Sequence, residues 1–331
     1  MKIAVIGAGS WGTAISNLLA DNANNVSLWA RRAEVASGIN AYHRNPDYLS
    51  DHRLNEGVVA TTALKDVLSR AQAAVVVTPS KLIRGTARAF AQYVDEDFPI
   101  VICSKGVEDV TGMLPVEVFE DELGGGRRLA ALCGPNHAEE VIQSLPSATV
   151  VASRSADTAR FFQEMFASPA LRVYTSDDVI GVELCAAFKN VIAVAVGVSY
   201  GLGFGDNTAA MLMTRGLAEM SRLATKAGGN PLTCMGLAGA GDLIVTCTSG
   251  HSRNRRFGED LAAGQTVEQF EKKTHMVAEG ALACKTLDVL AKRYDVELPI
   301  ADAVRSIVWE GVDAREASEA LFARSLKPEF Y

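Results

Sequence analysis

Apolar residues follow two different rhythms along this chain. Up to about residue 175, short aliphatic and β-branched runs alternate with helical patterns, and the runs are Ile3–Ile6, Val26–Trp29, Val58–Thr61, Ala74–Thr78, Ile100–Ser104, Leu129–Cys133, Ala148–Ala152 and Arg172–Tyr174. That alternation predicts parallel βαβ units. From about residue 178 the strand signal stops and longer patterns with a 3.6-residue period replace it, over Val179–Tyr200, Asn207–Ala227, Val277–Tyr294 and Ile300–Glu310. The change of texture predicts an α/β fold with a doubly wound sheet over residues 1–177 and an all-α domain over 178–331. The join falls in the polar stretch Thr175-Ser176-Asp177-Asp178, whose last three residues all suit a helix cap. Four early strands end in Gly7-Ala8-Gly9, Thr78-Pro79-Ser80, Ser104-Lys105-Gly106 and Gly134-Pro135-Asn136. Ligands of open parallel sheets bind beyond the carboxyl ends of the strands, so these turns are expected to line one crevice.

Composition narrows the picture. With 331 residues, 48% of them hydrophobic and 21% charged, the chain buries a sizeable core. A net charge of −7 carries no basic footprint for nucleic acid, so an anionic ligand must be held by local positive charge. The six cysteines form no Cys-x-x-Cys pair and sit in apolar runs, as reduced core residues of a cytoplasmic protein do. The apolar run after Lys2 breaks at Gly7, too early for a signal peptide. Val179–Leu202 approaches membrane length but carries Glu183, Lys189 and Asn190, which makes it a buried helix rather than a membrane span.

The sharpest local signal is Gly7-Ala8-Gly9-Ser10-Trp11-Gly12. Glycines at this spacing arise by chance in many sequences, and a plain βα turn uses them too. Here they follow a strand and open a helix over Thr13–Ala20, the context of a Rossmann-like dinucleotide site. The unpaired N–H groups and positive dipole end of that helix suit a pyrophosphate. NAD-selective sites place an acid near the end of the second strand, where this chain has Ala30-Arg31-Arg32. Arginines there pair with a 2′-phosphate, so NADP is favoured; Glu34 remains able to serve a ribose hydroxyl, which keeps NAD possible.

Lys189 stands out in an otherwise apolar helix, with Cys185, Ala186, Ile192, Ala193 and Val196 around it at helical spacing. A lysine snorkelling out of a core helix is the bland alternative. Desolvation in such a place tunes an amine toward proton transfer, which ketone reduction and alcohol oxidation both require. Glu183 and Asn190, on a neighbouring face, are expected to orient it. Downstream, Gly236-Leu-Ala-Gly239-Ala-Gly241-Asp242 leads into Ser252-Arg253-Asn254-Arg255-Arg256, three arginines beside Ser and Asn donors in an acidic protein. A solvated turn reads the same way, but the run also suits a small anion, a phosphate ester better than a carboxylate.

Taken in order, Gly7-Ala-Gly-Ser-Trp-Gly-Thr-Ala14, Ser104-Lys-Gly106, Gly134-Pro-Asn-His-Ala-Glu-Glu-Val141, Lys189-Asn-Val-Ile-Ala193, Gly205-Asp-Asn207, Thr214-Arg-Gly216, Gly241-Asp-Leu243, Ser252-Arg-Asn254 and Val277-Ala-Glu-Gly280 resemble the bacterial NAD(P)-dependent glycerol-3-phosphate dehydrogenases. The resemblance implies a Rossmann domain followed by a helical domain of the 6-phosphogluconate dehydrogenase C-terminal type, with the site in the cleft between them. It also implies a homodimer and reversible reduction of dihydroxyacetone phosphate to sn-glycerol 3-phosphate for glycerophospholipid synthesis. Carried over position by position, it makes Lys189 the general acid and base and Lys105 a cation touching substrate and cofactor. It assigns Gly134, Asn136, Asp242, Ser252, Arg253 and Asn254 to the substrate. The cofactor receives Gly7, Gly9, Ser10, Trp11, Gly12, Arg31, Arg32, Ala138, Val277 and Glu279, with Arg253 reaching it as well.

The chain departs from that pattern at Asn136, where the family usually has Ser, and at Ala209, where it commonly has Lys. Asn still donates and accepts hydrogen bonds, so the first bears on substrate geometry rather than on the reaction. A β-hydroxyacid or 6-phosphogluconate-type dehydrogenase shares the layout but fits Ser252-Arg253-Asn254 and Gly134-Pro135-Asn136 less well. A nucleotide-sensing module on the same fold needs neither Lys189 nor the basic segment.

Overall fold

The structure, a computed structural model, describes residues 1–274 and 279–329. The chain divides into two compact units, Met1–Glu183 and Leu184–Tyr331, so the division falls inside the helix Val179–Gly201 rather than in the polar stretch before it.

The first unit is built on one eight-stranded sheet with β1 (Lys2–Ile6), β2 (Asn25–Trp29), β3 (Val58–Thr61), β4 (Ala73–Val76), β5 (Ile100–Ile102), β6 (Leu129–Cys133), β7 (Ser147–Ala152) and β8 (Leu171–Ser176). Their order is β3-β2-β1-β4-β5-β6-β7-β8. The chain runs outward from β1 to β3, then returns past β1 to β4. The reversal makes the carboxyl ends of β1 and β4 the switch point at which such sheets bind ligands. In register, Ile3 of β1 faces Val26 on one side and Ala73 on the other. The central strands β4, β5 and β6 are buried at every residue, as strands covered on both faces must be.

One pairing departs from the parallel expectation: β6 and β7 are antiparallel. The helix between them, Ala138–Val141, has four residues. It advances only about 6 Å, too little to carry the chain back across the sheet. The strand β7 therefore starts at the edge where β6 ended, which keeps Gly134 and Asn136 beside it.

The second unit is helical, with Asp206–Lys226, Asp242–Thr248, Arg253–Ala262, Val267–Thr274, Glu279–Tyr294, Pro299–Arg305 and Ala314–Phe322 after the long Val179–Gly201 helix. That long helix is apolar enough to cross a membrane, with a mean hydropathy of 1.9, yet 89% of its apolar window is buried inside the protein. Helix Arg253–Ala262 packs against it at backbone distance. A Cβ on Gly258 would lie 2.1 Å from the Val194 carbonyl oxygen, so only glycine permits this crossing. The buried Glu219 carboxylate accepts from Ile300 N at 2.8 Å and so caps the Pro299–Arg305 helix. Burial pushes its pKa up to about 7. All six cysteines are buried and unbridged.

Candidate active site

In the first unit the glycine loop follows β1 directly. Gly7 has φ +123°, and a Cβ there would lie 2.9 Å from the Val77 carbonyl oxygen; one on Gly12 would lie 1.8 Å from that of Gly7. These two glycines close the turn and seat the helix Ser10–Asp21 on the sheet. Gly9 differs, because nothing lies within 4 Å of the place its Cβ would take. It is the N-cap of that helix, has no side-chain cap, and is followed by no acid in the first turn. Uncapped N–H groups at the positive end of a helix dipole thus adjoin open space, which fits the pyrophosphate of a dinucleotide. Ser10 and Trp11 are half-buried in the helix's first turn.

Arg31 and Arg32 follow β2, both exposed. They are not equivalent. Arg32 is ion-paired with Asp47, whereas Arg31 has no ion pair among the described residues. Ala138 is buried at the start of its short helix.

The turns after β4 and β5 are tied together. Ser104 Oγ donates to the Thr78 carbonyl at 2.5 Å, and Gly106 approaches Ser80 so closely that a Cβ would lie 2.8 Å from Ser80 Cβ. Half-buried Lys105 sits between them. Just beyond, Arg84 donates to both Glu108 oxygens at 2.7 and 2.8 Å and also pairs with Asp121 and Glu122. Those carboxylates hold its guanidinium more firmly protonated, and the Arg84 guanidinium in turn holds the Glu108 carboxyl below its usual range. After β6, Asn136 Nδ2 donates to the Ala148 carbonyl at 3.0 Å, while its buried Oδ1 has no hydrogen-bond partner among the described residues. Gly134 lies against Thr149, whose Cα would be 2.9 Å from an added Cβ.

In the second unit, Lys189 is 6% exposed and Asp242 2%. Lys189 Nζ donates to Asp242 Oδ1 at 2.6 Å and to Thr246 Oγ1 at 2.8 Å. Thr246 stands one helical turn after Asp242 in Asp242–Thr248, so both face the lysine, and its hydroxyl donates to the Asp242 carbonyl at 2.5 Å. The Asp242 carboxylate compensates the burial of the lysine's charge. Beside this cluster, Asn254 Nδ2 donates to Asn190 Oδ1 at 2.9 Å and its Oδ1 accepts from Gly280 N at 2.9 Å. Asn190 Nδ2 is buried without a partner among the described residues.

Two expectations are corrected here. Glu183 does not orient Lys189; its carboxylate accepts from Val116 N at 3.1 Å, at the start of the helix Pro115–Leu123, and burial pushes its pKa up. The run around Arg253 is not a solvated turn but a helix, which Ser252 caps as its Oγ accepts from Arg255 N at 3.3 Å. Helical geometry turns Arg255 to Glu259 at 3.1 Å and over the Tyr200 ring at 5.5 Å, and leaves Arg253 and Arg256 exposed. Glu279 opens the Glu279–Tyr294 helix, half-buried, and Val277 lies outside the described residues. Sequence reasoning missed Thr246 as a partner of Lys189 and Asp47 as a partner of Arg32. The four-residue spacing of Asp242 and Thr246 was the available clue to the first, had the segment been read as a helix.

A dinucleotide-type glycine loop in one unit and a buried lysine with its carboxylate in the other define a nicotinamide-dependent dehydrogenase. Residues 2–159 match the family model for the NAD-dependent glycerol-3-phosphate dehydrogenase N-terminus, and residues 178–319 that for the C-terminus. The chain is 44% identical to the glycerol-3-phosphate dehydrogenase [NAD(P)+] of Corynebacterium urealyticum, over 99% of this chain and 100% of that one. It is 43% identical to the protein of the same name from Bacillus subtilis, over 98% and 94%. The crystal structure of glycerol-3-phosphate dehydrogenase from Coxiella burnetii superposes with a TM-score of 0.94 at 36% identity, covering 98% of this chain and 99% of that one. The chain belongs to the NAD-dependent glycerol-3-phosphate dehydrogenase family.

Proposed function

We infer that the Lys189–Asp242–Thr246 cluster is the proton-transfer centre of the family's reaction and that the glycine loop of the first unit holds its cofactor. The reaction is the reversible reduction of dihydroxyacetone phosphate to sn-glycerol 3-phosphate with NAD(P)H, supplying glycerophospholipid synthesis. One observation carries the reading: a nearly fully buried ammonium held by a carboxylate at 2.6 Å and a hydroxyl at 2.8 Å.

Bound NAD(P)H supplies the hydride for the substrate's carbonyl carbon. Lys189 gives a proton to the carbonyl oxygen in reduction and takes it back from the alcohol in oxidation. Asp242 and Thr246 fix the amine's position and stabilise its charged form. Asn136 Oδ1 and Asn190 Nδ2, an acceptor and a donor each buried without a partner among the described residues, are suited to substrate oxygens. Lys105, Gly134, Asp242, Ser252, Arg253 and Asn254 complete the substrate set, and the positive charge of Arg253 suits the phosphate. On the cofactor side, Gly7 and Gly12 close the turn that offers Gly9, Ser10 and Trp11 to the pyrophosphate. Arg31 and Arg32 receive a 2′-phosphate, which favours NADP while leaving NAD usable. Ala138, Val277, Glu279, Lys105 and Arg253 complete that set.

We assign residues 1–177 to cofactor binding and 178–331 to substrate binding and catalysis, in a cytoplasmic homodimer. The test is oxidation of NADPH or NADH by purified protein with dihydroxyacetone phosphate, followed at the nicotinamide absorbance. Turnover with both cofactors is expected, and no substrate-dependent oxidation with either overturns the reading. For the arginines, the double substitution Arg31→Ala with Arg32→Ala is expected to raise KM for NADPH at least tenfold more than KM for NADH, and equal changes refute their role.

A further inference from the structure

The β2 end of this fold lacks the acid that usually meets an NAD ribose, yet the tertiary structure brings one there. Asp47 pairs with Arg32 from a segment fifteen residues further along the chain. Its place is set by Asn45, whose side chain is completely buried. Asn45 Nδ2 donates to the Ala8 carbonyl at 3.0 Å and to Thr13 Oγ1 at 2.8 Å, while its Oδ1 accepts from Asp47 N at 3.0 Å and from Tyr48 N at 3.2 Å. Ala8 belongs to the glycine loop, and Thr13 lies in the helix that follows it. One buried amide therefore ties the carboxylate-bearing segment to the glycine loop and its helix, and with it the Asp47 partner of Arg32. Its neighbour Arg31 has no such partner among the described residues.

We propose that Asp47 determines how strongly this site prefers NADP over NAD, by competing with the 2′-phosphate for Arg32. The inference rests on the reading above that Arg31 and Arg32 receive that phosphate. A 2′-phosphate must displace a carboxylate from one of its two arginines, which weakens NADP binding. When NAD binds, the same carboxylate neutralises an arginine that would otherwise sit uncompensated beside a neutral hydroxyl. The pair is exposed, with side chains 49% and 35% accessible, so its strength is that of a surface ion pair. Such pairs contribute at most about 1 kcal/mol, or about fivefold in affinity. Asp47 is therefore a tuning residue that keeps both cofactors usable rather than an absolute gate.

The experiment is calorimetric titration of the full chain with adenosine 2′,5′-bisphosphate and with AMP, alongside kcat/KM for NADPH and NADH. Asp47→Asn keeps size and removes charge. It is expected to tighten the bisphosphate about fivefold, leave AMP within twofold, and raise the NADPH-to-NADH ratio of kcat/KM by the same factor. In an Arg32→Ala background the same substitution is expected to change nothing, because the effect passes through Arg32. An unchanged ratio, a weakened bisphosphate, or an effect that persists without Arg32 overturns the proposal. A protein with both arginines replaced by alanine that binds the bisphosphate as well as the original defeats the underlying phosphate reading, and the role of Asp47 falls with it. That result appears without touching Asp47, so the two failures are distinct. A scaffold change alone would move AMP and bisphosphate together.

Discussion

The two units hold their functional polar groups in opposite ways. In the first, the groups offered to the cofactor are backbone N–H groups beside open space at Gly9 and exposed arginines at the end of β2. In the second, Lys189 and Asp242 are buried and already paired with each other. A large, polyanionic cofactor that arrives from solution and leaves again is met by dipoles and solvated charge, which cost little to leave vacant. The proton transfer we assign to Lys189 needs one amine at one position, and a buried pair supplies that at a high penalty for breaking it. Substitutions in the second unit are therefore expected to be severe for chemistry and stability, and those in the first to act chiefly on affinity.

The largest effect tests the buried lysine. Lys189→Ala is expected to lower kcat by about 10²–10⁴ with NADPH affinity, read by fluorescence, within twofold of the original; a variant retaining a tenth of its turnover breaks the assignment. Next comes its partner. Asp242→Ala leaves a buried ammonium uncompensated and is expected to cost about 3–5 kcal/mol of stability in denaturant unfolding. A loss below 1 kcal/mol would mean that the pair is not held as described.

Glu219 extends the contrast to pH. Its folded pKa of about 7 exceeds the ordinary 4.5, so between these values the folded state binds the extra proton. Its stabilising contribution is present in full below pH 4.5 and is lost as pH rises through 7, a swing of roughly 3 kcal/mol. Glu219→Gln is expected to flatten that part of the stability profile, and an unchanged slope removes Glu219 as its source. The smallest effect belongs to the glycine loop. Gly9→Ala is expected to weaken NADPH about tenfold, about 1.4 kcal/mol, with Tm unchanged within about 2 °C, because its Cβ enters space rather than protein. Gly12→Ala, whose Cβ would meet the Gly7 carbonyl, lowers Tm as well; equal Tm values for the two would erase the distinction.

Much of the fold was legible because it is local. β1 and β3 end at Ile6 and Thr61, where the apolar runs place them, and the Val179–Gly201 helix starts at the expected residue. Alternation and helical periodicity record which face of an element is buried, and that record is written in neighbouring residues. The direction of β7 was not legible, because it depends on how far a four-residue helix can carry the chain. Nor was the helix at Arg253, since its Gly-rich and basic surroundings resemble a loop while Ser252 supplies the cap.

Of the site, the sequence by itself determined the chemical types: a glycine loop after the first strand, two arginines after the second, and a lysine out of place in an apolar helix. Only the tertiary structure decided their partners. It joined Lys189 to Asp242 across 53 residues and to Thr246 across 57, took Glu183 away to a helix end at Val116, and turned Arg32 toward Asp47. Residue type and spacing fix what a group can do, but hydrogen bonds and ion pairs act over about 3 Å of space, and the distances between remote parts of a chain exist only once it has folded.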